Sequence, residues 1–177
     1  MPLNETALVV LVPEAEPLVK PFRDRYDPSA AAGVPAHITL LYPFKHPDEV
    51  DHAALEDLRR LFHRFAPFRF SLAPIRRFSD AVLYLAPEPH EPFRQLILAI
   101  CDQYPETPPY GGKWPDIVPH LSVAWVKDQQ QLDRIATDFA QASRGRLPIL
   151  TTAGEVSLME KRSGRWLIRA TFGLQRE

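Results

Sequence analysis

Pro35-Ala36-His37-Ile38-Thr39-Leu40 and Val118-Pro119-His120-Leu121-Ser122-Val123 share one order: histidine, apolar residue, hydroxyl residue, apolar residue. Side chains alternate across a β-strand, so His37 and Thr39 point to one face while Ile38 and Leu40 point to the other. The second segment behaves in the same way, with His120 and Ser122 opposite Leu121 and Val123. Each strand therefore has an apolar side to bury and an imidazole-and-hydroxyl side to present, which suits a rigid catalytic floor. Either copy alone is a weak signal. The chain's own composition would produce both by accident in about two chains per hundred.

The surroundings of the two segments match as well. Ahead of His37 lie a strand-like run, Ala7 to Val12, a short helical candidate from Pro17 to Tyr26 interrupted by Pro21, and a small-residue loop ending at Gly33. After it, Asp48 is placed to cap a helix carrying Ala54, Leu58, Leu61, Phe62 and Phe65, and Phe68 to Ile75 reads as a strand. The second half opens with a strand, Ala81 to Leu85, and a helix with Phe93, Leu96, Ile97, Ile100 and Cys101 on one face. A proline- and glycine-rich loop from Tyr104 to Val118 leads into the strand His120 to Trp125. Asp128 then precedes a helix marked by Leu132, Ile135, Ala136 and Phe139, and extended structure resumes at Leu147. Thr151 to Met159 and Trp166 to Leu174 flank Ser163 and Gly164 as a terminal β-hairpin.

Both halves thus read strand, helix, histidine strand, helix, strand, the mark of an internal duplication. The expected fold is α+β: one bilobal domain over residues 1–177, with repeats at approximately 6–75 and 81–174. Antiparallel or mixed sheets would face a central cleft, with helices on the outer faces and a pseudo-twofold axis relating the lobes. The histidine strands would face each other across that axis.

Composition narrows the partners. Lys and Arg number 21 against 22 Asp and Glu, so there is no bulk positive field to hold a long duplex, and a nucleic-acid substrate would be small or gripped locally. The single cysteine, Cys101, excludes an internal disulfide and sits on an apolar helical stripe as a plain core thiol. The 19 prolines fall between periodic segments and act as punctuation. Ala7 to Val12 is too short, and too acidic in its flanks, for a signal peptide or membrane span, so a cytoplasmic monomer with no membrane partner is expected.

Two imidazoles across a phosphate can perform both proton transfers of phosphodiester cleavage, one ring neutral and the other cationic near neutrality. The Thr39 and Ser122 hydroxyls can donate to the non-bridging oxygens and orient the phosphate. This scheme needs no metal and no cofactor. His52 and His63, on a helix, have no partner at metal-ligand spacing, so no metal site is expected. Tyr110 and Trp114, in the loop before His120, are candidates for contact with a substrate base. Alternation assigns Tyr42 and Trp125 to core packing, and Lys161, Arg162 and Arg165 read as solvated charge at the hairpin turn.

These two motifs, their separation and the duplicated order resemble the two-histidine (2H) phosphoesterase superfamily, most closely its branch of 2'-5' RNA ligases and cyclic nucleotide phosphodiesterases. The resemblance spans most of the chain, but its specific part is the two motifs. It implies a bilobal fold and a metal-independent phosphodiesterase acting on 2',3'-cyclic or 2'-5' RNA-type phosphodiesters. Its functional residues carry over onto His37 and His120 as the acid and base, and onto Thr39 and Ser122 as the phosphate-binding pair. A nucleotide or RNA end is the partner so implied; a non-catalytic module binding the same ligands is the alternative. Which histidine donates and which accepts is left open.

Overall fold

Apolar and β-branched runs form eight strands among the described residues: β1 (Glu5–Leu11), β2 (His37–Leu41), β3 (Phe68–Phe78), β4 (Val82–Glu88), β5 (Leu121–Trp125), β6 (Ile149–Ala153), β7 (Glu155–Arg162) and β8 (Arg165–Gly173). Five α-helices join them: α1 (Glu16–Tyr26), α2 (Pro28–Ala31), α3 (His52–Phe62), α4 (Glu91–Gln103) and α5 (Gln129–Ala142). The computed structural model describes residues 4–78, 81–113 and 116–175.

The strands make two four-stranded sheets, ordered β2-β1-β7-β8 and β5-β4-β3-β6. Every pairing is antiparallel, so the expected α+β class holds and the mixed-sheet option falls away. The two orders correspond. In each sheet a histidine strand lies at one edge, beside the strand that opens its half of the chain.

The sheets do not divide the chain where the sequence repeats do. The strand ending the first repeat, β3, pairs with β4 and β6 in the second sheet, while β7 pairs with β1 in the first. Only residues 79–81 separate β3 from β4, a connection short enough to favour a hairpin partner over a distant one. The stretch Thr151 to Met159, read from sequence as one strand, breaks at Gly154: β6 belongs to one sheet and β7 to the other. The helices are exchanged too, since α1 packs against β5 and α4 against β2. Each half therefore supplies the cover for the other half's histidine strand.

Several local expectations shift. Asp51 caps α3, its carboxylate accepting from the Ala54 amide at 2.8 Å. Asp48 lies one short turn earlier, in the 3₁₀ segment Pro47–Glu49, which His46 caps. Asp128 caps α5 as expected, accepting from the Gln131 amide at 2.7 Å. Pro21 sits inside α1 without ending it; Leu18, Val19 and Arg23 are buried, and their packing outweighs one lost backbone bond. Asp27 starts the unanticipated helix α2, accepting from the Ser29 amide at 2.9 Å, with Pro28 in the first helical turn.

One cluster of buried side chains runs through both sheets, including Leu8, Ile38, Leu40 and Leu158 from the first and Leu72, Leu85, Leu121 and Val123 from the second. Ile38, Leu40, Leu121 and Val123 are thus the anchors that alternation assigns to the core, and His37, Thr39, His120 and Ser122 are only partly buried. No helix among the described residues is long and apolar enough to cross a membrane.

The approach to β2 is closed by Gly33 at φ +100°, where an added Cβ would meet the Trp166 carbonyl oxygen at 3.3 Å. Next to it the Trp166 amide donates to the Ala32 carbonyl at 2.8 Å, tying the loop to β8. Gly33→Ala combines a backbone conformation that L-residues avoid with a tight contact, and should destabilise the fold by about 1–3 kcal/mol. Urea unfolding of the two proteins checks this, and an unchanged midpoint would contradict it.

Candidate active site

The two histidines are held in the same way. His37 Nδ1 lies 2.7 Å from the Pro35 carbonyl oxygen, and His120 Nδ1 lies 2.8 Å from the Val118 carbonyl oxygen. A carbonyl only accepts, so each Nδ1 carries the proton and donates it, leaving Nε2 as the nitrogen that can gain or lose a proton. The backbone beneath His37 is pinned on both sides of Ala36: its amide donates to Glu16, and its carbonyl accepts from the Val12 amide at 2.8 Å. The His120 ring sits against aromatics. It meets Phe78 edge-on at 4.6 Å between centroids and Tyr84 at 5.5 Å, and those two rings stack on each other at 4.3 Å. Tyr84 also lies opposite Ser122 in the β4–β5 register.

Beside His37 lies a recess of about 150 Å³ whose lining includes Thr39, Ser29, Tyr42, Tyr110 and Trp166. The structure thus brings Tyr110 to the His37 motif: it lines the recess together with Thr39, and its amide donates to the Tyr42 carbonyl at 2.6 Å. Tyr110 has φ 51°, a left-handed conformation unusual for a bulky residue, followed by Gly111 and Gly112 also at positive φ. That strain turns the tyrosine into the recess. Trp114 lies outside the described residues.

Tyr42 packs against the small apolar cluster of Ala7, Val9, Val34, Met159 and Trp166, as alternation suggests, and it also lines the recess. Its hydroxyl donates to Glu5 at 2.7 Å; Glu5 in turn accepts from Lys161 at 3.2 Å, and Lys161 lies over the Trp166 ring. Lys161 is therefore buried in a network that fixes one wall of the recess, where a solvated turn residue was expected. Trp125, also expected in the core, ends β5 and is 43% exposed.

Nothing in the local sequence pattern singles out a further group. α1 contributes Arg23, whose Nε donates to Asp27 at 3.0 Å, and both side chains are buried. The i,i+4 spacing makes this pair predictable as an ion pair, but not its burial or its position. Asp27 and Arg23 both act through space on His37, and Asp27 acts on His120 as well.

Burial is the largest influence on His37 and lowers its pKa to about 4; the Arg23 charge adds to that, while the Pro35 carbonyl and Asp27 oppose it. His120 is also lowered, again chiefly by burial, with the Val118 carbonyl and Asp27 opposing. His120 further depresses His37, as expected of two imidazoles close enough to interact. The free site therefore holds two neutral rings with open Nε2 atoms at neutral pH. Among the described residues, no group of three or more His, Cys, Asp or Glu side chains is placed to hold a metal ion.

The sequence profile of the 2'-5' RNA ligase superfamily matches residues 11–165. The chain belongs to that superfamily. A protein of Bacillus licheniformis that carries the provisional name of a phosphoesterase is 28% identical over 134 residues, covering 73% of this chain and 76% of the relative. Among solved structures of similar fold is Escherichia coli LigT complexed with 3'-AMP, at a TM-score of 0.64 and 15% identity over 98% of this chain and 99% of that one. TT0787 of Thermus thermophilus follows at 0.59 and 19% identity, again over 98% and 99% of the two chains. A shared fold does not fix a chemistry, so function has to be read from the groups of the site itself.

The low pKa of His37 makes acid an early threat to the fold. Unfolded, the ring takes up its proton near 6.5; folded, it does so only near 4, so between those values the unfolded state binds more protons. Stability should fall as pH drops through that window and level off below it as far as this group is concerned. The contribution is at most about 3 kcal/mol, lessened by water in the cleft. Urea unfolding of wild type and His37→Gln from pH 7 to 4 checks it: the variant should lose less stability across the window, and parallel curves would contradict the assignment.

Proposed function

We propose that the chain is a metal-independent phosphodiesterase in which His37 and His120 act as a paired acid and base on one phosphate of a 2',3'-cyclic or 2'-5' RNA-type phosphodiester. The observation that carries this reading is the common tautomer. Both rings present Nε2 while Nδ1–H is held by a backbone carbonyl, so either ring can accept a proton when neutral or donate one when charged. Thr39 and Ser122, on the same strand faces, would hydrogen-bond the non-bridging oxygens as negative charge develops. In hydrolysis of a 2',3'-cyclic phosphate, one histidine takes a proton from water as the new P–O bond forms. The other gives its proton to the ribose oxygen as the old bond breaks. The nucleotide class is supported by LigT, whose solved complexes include 3'-AMP, NADP+ and ATP. Tyr110 would contact the base or ribose next to Thr39, and the expectation for Trp114 in the same loop stands beside it.

His37→Ala and His120→Ala should each lower kcat on a 2',3'-cyclic nucleotide by roughly 100- to 10,000-fold while far-UV circular dichroism stays unchanged. Wild-type turnover in either variant would refute the pairing. An inactive wild type that still binds 3'-AMP would favour the non-catalytic module. Thr39→Ala and Ser122→Ala should cost about 10- to 1,000-fold in kcat, and a raised KM at constant kcat would reduce the hydroxyls to ground-state binding.

A further inference from the structure

Trp125 takes no part in the chemistry just described, yet it stands on the face that carries it. Leu83 lies opposite Ala124 in the β4–β5 ladder and the next residue, Tyr84, lies opposite Ser122, so Val123 is an extra residue in β5. A bulge of this kind advances the alternation by one position and re-aims the side chains beyond it. Trp125 therefore does not follow the buried Val123 into the core. Its register partner is Val82, whose own partner on β3 is Phe78, and residues opposite each other on antiparallel strands share a face. Phe78 is the ring that meets His120 edge-on at 4.6 Å. The face of His120 and Ser122 thus runs on to Trp125, about 10 Å along the strand from Ser122. The indole is 43% exposed and meets no other ring among the described residues.

Arg76 occupies the same face, opposite Tyr84, and enters no ion pair or hydrogen bond among the described residues; its neighbour Arg77, on the reverse face, is bound to Asp133 at 2.6 Å. An uncovered indole and an unpaired guanidinium on one face suit an anionic aromatic ligand better than an apolar protein surface. The recess beside His37 and Thr39 is walled by residues of the first sheet and by Tyr110, whereas Trp125 belongs to the second sheet, and the two sheets meet where β2 touches β5. A phosphodiester carries a substituent on each side of its phosphorus. We propose that Trp125 is the stacking platform of a second nucleoside subsite: it holds, by its base, the nucleoside on the His120 side of the phosphate, while the recess beside His37 holds the other. The inference rests on the reading of His37 and His120 as the pair that spans the phosphate. A ribose bridges the interval from phosphate to base, and every base has a flat face to lay on an indole, so the subsite selects for the presence of a base and little for its identity. A diester that joins two nucleosides is then held at both ends, and a nucleoside 2',3'-cyclic phosphate at one.

The test is calorimetric binding to the full chain, so it does not depend on turnover. The probes are a 2'-5'-linked diadenosine monophosphate made without the 3'-hydroxyl next to the linkage, which leaves no hydroxyl to attack the phosphate, and its two analogues that lack one base each. Trp125→Ala should weaken binding of the two-base compound by roughly 10- to 100-fold, and Trp125→Phe by much less. The analogue without the base that Trp125 covers should bind wild type and Trp125→Ala equally, and the other analogue should show the full loss. Equal affinity of wild type and Trp125→Ala for the two-base compound overturns the subsite. So does an equal loss on all three compounds, which marks a structural effect of the substitution, and so does a wild type that binds the two-base compound no more tightly than both analogues. If Trp125→Ala does not fold, Trp125→Leu decides by the same comparison. Failure of the acid–base reading shows elsewhere: wild-type turnover of a 2',3'-cyclic nucleotide by His37→Ala or His120→Ala would refute that reading and leave the binding comparison to judge the subsite.

Discussion

Alternation along two short edge strands is the constraint on which the rest of the structure depends. β2 and β5 must each bury one face, and Ile38 with Leu40, and Leu121 with Val123, supply it. What remains on the other face is an imidazole and a hydroxyl, twice. A slip of one residue in either register would turn the histidine into the core and expose leucine or isoleucine. The exchanged helices make this hard to do, because α4 covers β2 and α1 covers β5. Neither histidine strand can be placed without the other half of the chain, and the relative position of the two rings is a property of the whole core.

A second layer of control sets the rings themselves. The carbonyls of Pro35 and Val118 fix both tautomers, and the segments that carry them are stiffened by proline at positions 35 and 119. The Lys161–Glu5–Tyr42 network braces the recess on one side, and the strained backbone at Tyr110 closes it on the other. Local strain of this kind persists only where its surroundings over-determine it, and the hydrogen bond between the Tyr110 amide and Tyr42 is one such surrounding contact.

The two histidine strands and the helices α3, α4 and α5 were legible because their apolar spacing is regular and long enough to outvote noise. The sheet partnership was not. Periodicity says which face of a strand is buried and nothing about which strand lies beside it, so β3 and the residues on either side of Gly154 could not be assigned to a sheet. His37, Thr39, His120 and Ser122 could be grouped because duplication repeats them. Arg23, Asp27 and Ser29 occur once, and although the helix that carries Arg23 could be read, its charges look like an ordinary surface pair. Their burial depends on α1 crossing to the second sheet. Trp125 was misplaced for a related reason: it ends β5, where the rule of alternation expires, and it is largely exposed.

The central claim is that His37 and His120 span a single phosphate from opposite sides. A crystal structure of the chain with a nucleoside 2',3'-cyclic vanadate, a mimic of the five-coordinate phosphorus, tests it most directly. Nε2 of one histidine is expected within hydrogen-bond distance of one apical oxygen, Nε2 of the other beside the opposite apical oxygen, and Thr39 and Ser122 on the equatorial oxygens. Vanadate held by one histidine alone, or bound away from both, would contradict it.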